Sequence, residues 1–256
     1  YMFIDTHTHI YLEEFNADRK EIIKECNELN IKKLLLPNID SNTIDELLNL
    51  TSDYKGFCFP MVGLHPCSVK SDYKKELEIL KPYVEKYNPI AIGEIGIDLY
   101  WDKTTLNIQK AAFIEQINWA KKYKLPIVIH ARDSYKEIFE ILDLLNDEDL
   151  SGVFHCFSSD LKDANHILNY GKFKLGIGGV VTFKNAGLDK TLSEIPIENI
   201  VLETDSPYLS PVPFRGKRNK SSYITLIAKK ISEIYSLEIT EIEKITTNNA
   251  QEIFKL

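Results

Sequence analysis

Four histidines and two carboxylates carry the chemistry that this sequence offers: His7, His9, His130 and His155, with Glu94 and Asp205. His7-Thr8-His9 has i, i+2 spacing, so an extended backbone turns both imidazoles to one side. A lone histidine is more often packing or surface than a ligand, and one His-x-His pair is a weak signal. Four imidazoles with two carboxylates are different, because they exceed what one tetrahedral zinc requires. They suit two divalent ions that share a bridging carboxylate. Glu94 is the natural bridge, since it sits centrally and offers two oxygens. Two dications outweigh two carboxylates, so the centre stays cationic and suits an anionic substrate such as a phosphodiester. Asp205 is the residue to orient or deprotonate the attacking water, which makes Asp205 and Glu94 the catalytic pair. Glu203 is either a carboxylate supporting the ligands from behind or a structural one near the rim.

Basic and aromatic residues ring the same region. Arg132 follows His130 by two positions, Lys184 lies beyond the seventh apolar run, and Arg215-Gly-Lys-Arg-Asn-Lys220 follows Asp205. A basic run is usually a solvated loop. This one is tied to Asp205 by a path stiffened by Pro207, Pro211 and Pro213, so Arg215 and Lys217 are expected to contact substrate. Tyr100, Trp101 and Tyr208 are aromatics able to stack on bases.

Short apolar runs must position these groups: Met2–Asp5, Lys33–Leu36, Phe57–Gly63, Ile90–Glu94, Ile127–His130, Val153–His155, Lys174–Ile177 and Ile200–Glu203. Between them lie helical patterns, such as Asp18–Leu29 and Thr105–Tyr123, with apolar residues three and four apart. Strands alternating with helices predict a parallel α/β sheet. The polar residues choose its form. His7 and His9 follow the first strand and His65 the third. Glu94, His130 and His155 end the fourth, fifth and sixth, and Asp205 follows the eighth; His166 alone of the histidines falls in a predicted helix. An open sheet spreads such residues along its edge, whereas a closed TIM (β/α)₈ barrel gathers them at one mouth. The 256-residue length is near the roughly 250 typical of that barrel, so residues 2–256 are read as a single domain.

Composition sets outer bounds. With 44% hydrophobic and 27% charged residues the chain reads as an ordinary globular protein, with no apolar stretch long enough for a membrane span. No charged segment followed by an apolar run opens it, which predicts a cytoplasmic protein, here expected to be a monomer. Tyr1, ahead of Met2, is set aside as a residue left by expression. Cys26, Cys58, Cys67 and Cys156 form no Cys-x-x-Cys pair and are expected to be reduced thiols. A net charge of −7 argues against a broad nucleic-acid surface but leaves room for a small cationic cleft.

At its site residues the sequence resembles the TatD family of metal-dependent deoxyribonucleases, within the amidohydrolase-like superfamily. The resemblance covers nearly the whole chain. It runs through Phe3-Ile-Asp-Thr-His-Thr-His9, Gly63-Leu-His-Pro66, Gly93-Glu-Ile-Gly-Ile-Asp98, Ile129-His-Ala-Arg-Asp133, Phe154-His-Cys-Phe157, Gly178-Gly-Val-Val-Thr-Phe183, Glu203-Thr-Asp-Ser-Pro-Tyr-Leu209 and Arg215-Gly-Lys217. It implies the six ligands named above, Mg²⁺, Mn²⁺ or Zn²⁺ as the metal, and 3′→5′ exonuclease action on the 3′ end of single-stranded DNA. It also implies that His65 and Arg132 face substrate phosphate. One departure stands out: Asn219-Lys-Ser-Ser222 replaces the family's usual Asn-Glu-Pro, which leaves the metal ligands untouched and bears on the loop's shape. Two other functions fit the same residues. One is ester or amide hydrolysis, such as removal of a D-amino acid from tRNA; the other is a non-catalytic binding protein on a retained barrel, which would be free to lose some of the six ligands.

Overall fold

The computed structural model of the protein describes residues 2–256, and Tyr1 lies outside them. Each apolar run folds as a strand, and the helices between them return the chain to the same end. The strands are β1 (Phe3–Asp5), β2 (Ile31–Leu36), β3 (Cys58–Val62), β4 (Ala91–Asp98), β5 (Ile127–Arg132), β6 (Gly152–Phe154), β7 (Phe173–Ile177) and β8 (Ile200–Leu202). The helices are α1 (Arg19–Glu28), α2 (Ile44–Asp53), α3 (Tyr73–Tyr87), α4 (Leu106–Tyr123), α5 (Tyr135–Leu145), α6 (Leu161–Asn169), α7 (Leu188–Ser193), α8 (Ile224–Tyr235) and α9 (Ile239–Phe254). The strands pair in parallel and in chain order from β1 to β8. This is the expected TIM barrel.

The seam between β8 and β1 is closed without a regular ladder. The Thr6 amide and hydroxyl both donate to the Leu202 carbonyl, at 3.1 and 2.9 Å, and Thr8 bridges to Ser206. Behind them the buried Asp5 carboxylate accepts from the Thr204 amide at 2.9 Å and its hydroxyl at 2.6 Å.

The period-2 alternation of the strands builds two cores. Leu34 and Leu36 face the helical layer, while Leu35 turns inward with Ile4, Met61, Val128, Val153 and Val201. Ile253 and Phe254 of α9 join that inner cluster, so the last helix seals the barrel floor. Each such side chain contributes about 1.5–3 kcal/mol by leaving water. The chemistry is left to the open end, at the strand C-termini.

Two strands run past their expected C-terminal ends. The fourth apolar run is expected to stop at Glu94. Instead β4 continues to Asp98, all eight residues buried, because Gly96 lets it lie against β5: a Cβ at Gly96 would sit 2.1 Å from the His130 carbonyl oxygen. β5 accordingly pairs on to Arg132, opposite Asp98. No helix among the described residues is long and apolar enough to cross a membrane.

Candidate metal centre

The barrel brings all six expected ligands to one point. Glu94, buried at the mouth, presents its two oxygens to different imidazoles. Oε2 lies 3.2 Å from His7 Nε2 and 3.6 Å from His9 Nε2. Oε1 lies 2.8 Å from His130 Nδ1, 3.5 Å from His155 Nε2 and 3.4 Å from His65 Nε2. Asp205 closes the group, its Oδ1 lying 3.7 Å from both His7 and His9 and 3.9 Å from His155. Asp205 holds a left-handed backbone (φ 57°), fixed by its amide donating to the His7 carbonyl at 2.8 Å. A non-glycine residue in that region is costly, about 1–3 kcal/mol, and the seam pays for it.

Two of the histidines are anchored by a hydrogen bond through the nitrogen that faces away from Glu94. His9 Nδ1 meets the Tyr11 hydroxyl at 3.1 Å, which donates in turn to the Pro37 carbonyl. His130 Nε2 meets Asp98 Oδ2 at 2.8 Å, whereas His155 Nδ1 lies 2.9 Å from Glu203 Oε1 without the alignment of a hydrogen bond. Such outer partners fix the ring and turn its other nitrogen toward Glu94. Glu203 therefore stands behind the ligands. Its Oε1 also accepts from the Cys156 amide, and Gly176 leaves it room, since a Cβ there would fall 2.3 Å from Oε2.

The donors fit divalent metal. His7 is wholly buried, yet neither of its ring nitrogens makes a hydrogen bond among the described residues. A buried polar atom left so is rare and calls for a partner. Three donor groups lie close enough to share an ion: His7, His9 and Glu94; His7, His155 and Glu203; and His65, Glu94 and His130. Two of them meet at Glu94.

Electrostatics agree. Burial lowers the His7, His9 and His155 pKa values, keeping the neutral, ligating form. Burial opposes charge on Glu94 too, but the surrounding imidazoles hold its carboxyl well below the usual range. At His130, hydrogen bonds to Asp98 and Glu94 outweigh burial and raise the pKa to about 9. Burial pushes Asp205 and Glu203 up to about 7.

A cavity of about 740 Å³ opens above this cluster, lined by His65, Arg132, Trp101, Tyr208 and Cys156 among others. His65 accepts the Cys67 amide at Nδ1, so its Nε2–H points inward beside Glu94. Arg132 and His65 thus stand at the mouth as expected. Arg215 and Lys217 do not line this cavity. Arg215 lies 4.1 Å over the Phe183 ring and Lys217 5.9 Å from that of Phe214, both exposed on the rim. The departing segment is well anchored: Asn219 donates to the Thr204 and Tyr208 carbonyls at 2.7 and 2.6 Å, and Lys220 pairs with Glu25 of α1. All four cysteines are free thiols, and burial raises the Cys156 thiol pKa well above its usual value.

Asp98 and Tyr11 are the functional residues that the sequence reading leaves without a role. The signal for Asp98 was present: Glu94, Gly96 and Asp98 share one face of a strand, once the strand is allowed to run through Gly96.

Known proteins match this arrangement along its length. The family model described as TatD related DNase matches residues 4–255. YabD of Bacillus subtilis (strain 168), described as an uncharacterized metal-dependent hydrolase, is 36% identical over 256 residues, covering 100% of both chains. The crystal structure of YJJV, a TatD homolog from Escherichia coli K12, superposes with a TM-score of 0.93 at 26% identity, covering 99% of this chain and 98% of that one. A TatD family hydrolase from Entamoeba histolytica shares the fold at a TM-score of 0.85 and 22% identity, over 98% of this chain and 97% of that one. With residues 4–255 matched by the family model and a relative 36% identical over its full length, the chain belongs to the TatD family of metal-dependent hydrolases.

Proposed function

We propose that this hydrolase is a 3′→5′ exodeoxyribonuclease that cleaves phosphodiesters at the 3′ end of single-stranded DNA. The observation that supports it is the split of Glu94, whose two oxygens face separate sets of imidazoles beneath a mouth that carries Arg132 and the His65 Nε2–H. His7, His9 and Asp205 would hold one divalent ion and His130 and His155 a second, with Glu94 shared; Mg²⁺, Mn²⁺ and Zn²⁺ all suit this mixed nitrogen and oxygen set. Divalent ions bound by these residues would supply Lewis acidity toward a phosphoryl oxygen and a lowered water pKa. Arg132 and His65 bind and orient the phosphate. Asp205 accepts the proton of the attacking water, and Glu203 keeps His155 in the ligating tautomer. DNA as substrate and the polarity follow the family resemblance, and the protein is taken to work as a cytoplasmic monomer.

The test is turnover of a 3′-labelled single-stranded oligonucleotide by metal-free protein with single ions added back. Stepwise loss of 3′ nucleotides is expected. A D-aminoacyl-tRNA offered to the same preparation is expected to stay intact. Deacylation without oligonucleotide cleavage overturns the proposal.

A further inference from the structure

Trp101 is 72% exposed, yet it stands in the wall of the metal cavity. It belongs to the short loop between β4 and α4, and this loop is held firmly. Asp98 Oδ1 accepts the amides of Tyr100 and Trp101 at 3.0 and 3.3 Å, and Gln109 donates to the Asp98 carbonyl at 3.0 Å. Tyr100 meets Trp101 edge to face, at 4.9 Å and 89°. The Arg132 guanidinium lies 3.7 Å over the Tyr100 ring and 5.6 Å from the Trp101 ring. One face of Tyr100 is therefore covered by a cation, while the Trp101 indole stays open to solvent beside it.

A large exposed aromatic is costly to leave in water and, unlike a scattered surface leucine, this one is preorganised at the mouth of a site. Its neighbours define what fits. A flat π surface next to a guanidinium matches a nucleotide, with the base on the ring and the phosphate on the cation. The geometry points to Trp101, backed by Tyr100 and Arg132, as a platform that stacks an unpaired base of the substrate strand beside the scissile phosphate. This rests on the phosphodiester reading above and deepens it.

Two consequences follow. A base can reach an open indole face only after leaving its partner and its stack, so a paired end is selected against without any contact to the complementary strand. Every base has a π face, so the platform is tolerant of sequence. Lost stacking should weaken strand binding roughly ten- to one-hundredfold.

The chain has two tryptophans, and Trp119 is buried at 2% exposure, so quenching by added strand reports on Trp101. Metal-free protein is titrated with a single-stranded oligonucleotide, the same strand abasic at its two 3′-terminal positions, and inorganic phosphate. Fluorescence quenching and anisotropy of the labelled strand are read together. The intact strand should quench, the abasic strand should bind ten- to one-hundredfold more weakly without quenching, and phosphate should leave the emission unchanged. In metal-loaded protein, Trp101→Ala should raise KM more than it lowers kcat, and Trp101→Phe should restore most of the loss. Equal binding of the intact and abasic strands, with both cleaved, overturns the platform and leaves the phosphodiester reading standing. Absence of both strand binding and cleavage overturns the two together.

Discussion

Asp98 and His130 are joined at 2.8 Å on the side of the imidazole turned away from Glu94, so one carboxylate sets both the tautomer and the tilt of a metal-facing ring. The other oxygen of Asp98 carries the amides of Tyr100 and Trp101. Asp98→Ala should lower metal affinity about 10–100-fold while the barrel survives. Chelator competition measures the affinity and thermal unfolding the fold. Unchanged affinity would show that His130 needs no such support.

The unpartnered nitrogens of His7 predict that metal stabilises the fold. An ion that binds only the native state at about 1,000 times its Kd contributes about 4 kcal/mol, which for a chain this size raises Tm by roughly 10 °C. Scanning calorimetry with and without Zn²⁺ reads the shift. In His7→Ala the shift should shrink by more than half.

Protonation of His130 sets a pH dependence with a definite sign. Its folded pKa of about 9 exceeds the ordinary 6.5, so its contribution to metal-free stability is complete below about pH 6.5 and is lost as pH rises to 9. Metal binding runs the other way, because an ion at Nδ1 must displace that proton, and affinity should rise with pH over the same window. Titrating Zn²⁺ at about pH 7.5 in buffers of different ionisation enthalpy should show at least about one proton released. Heats independent of buffer would remove the protonated bridge.

Asp205 is assigned the base, and Asp205→Asn should cost about 10²–10⁴-fold in kcat while strand binding persists. Metal content must be measured on the same preparation. Glu203→Gln provides the contrast: it touches His155 rather than the attacking water, so its main effect should fall on metal affinity. Near wild-type turnover in Asp205→Asn would move the base elsewhere.

The sequence displays the ligands well because each stands at the end of an apolar run, where a polar residue has no packing reason to be. Barrel closure follows from them, since only a closed sheet brings His7 beside Glu94 and Asp205. Asp98 lies beyond the expected end of the fourth run, and only the close fit of Gly96 against β5 carries the strand on to it. Tyr11 was hidden because its partner carbonyl, Pro37, lies 26 residues away and no periodicity encodes that meeting. For the rim loop the sequence supplies charge and proximity to Asp205 but not placement: ring contacts with Phe183 and Phe214 hold Arg215 and Lys217 outside the cavity, where only a strand crossing the rim would meet them.

The irregular seam between β8 and β1 carries a consequence for how the protein is made. Its contacts join residues 196 to 199 positions apart, so each closes a loop of most of the chain. Closure entropy grows with loop length, and contacts between distant segments form late in folding. Yet this seam is what sets Asp205 against His7 and His9. A chain still emerging from the ribosome, with residue 205 not yet free, holds an incomplete centre however many imidazoles it already displays. Ion capture then belongs to the end of folding, and metal affinity can serve as a clock for the moment the barrel shuts.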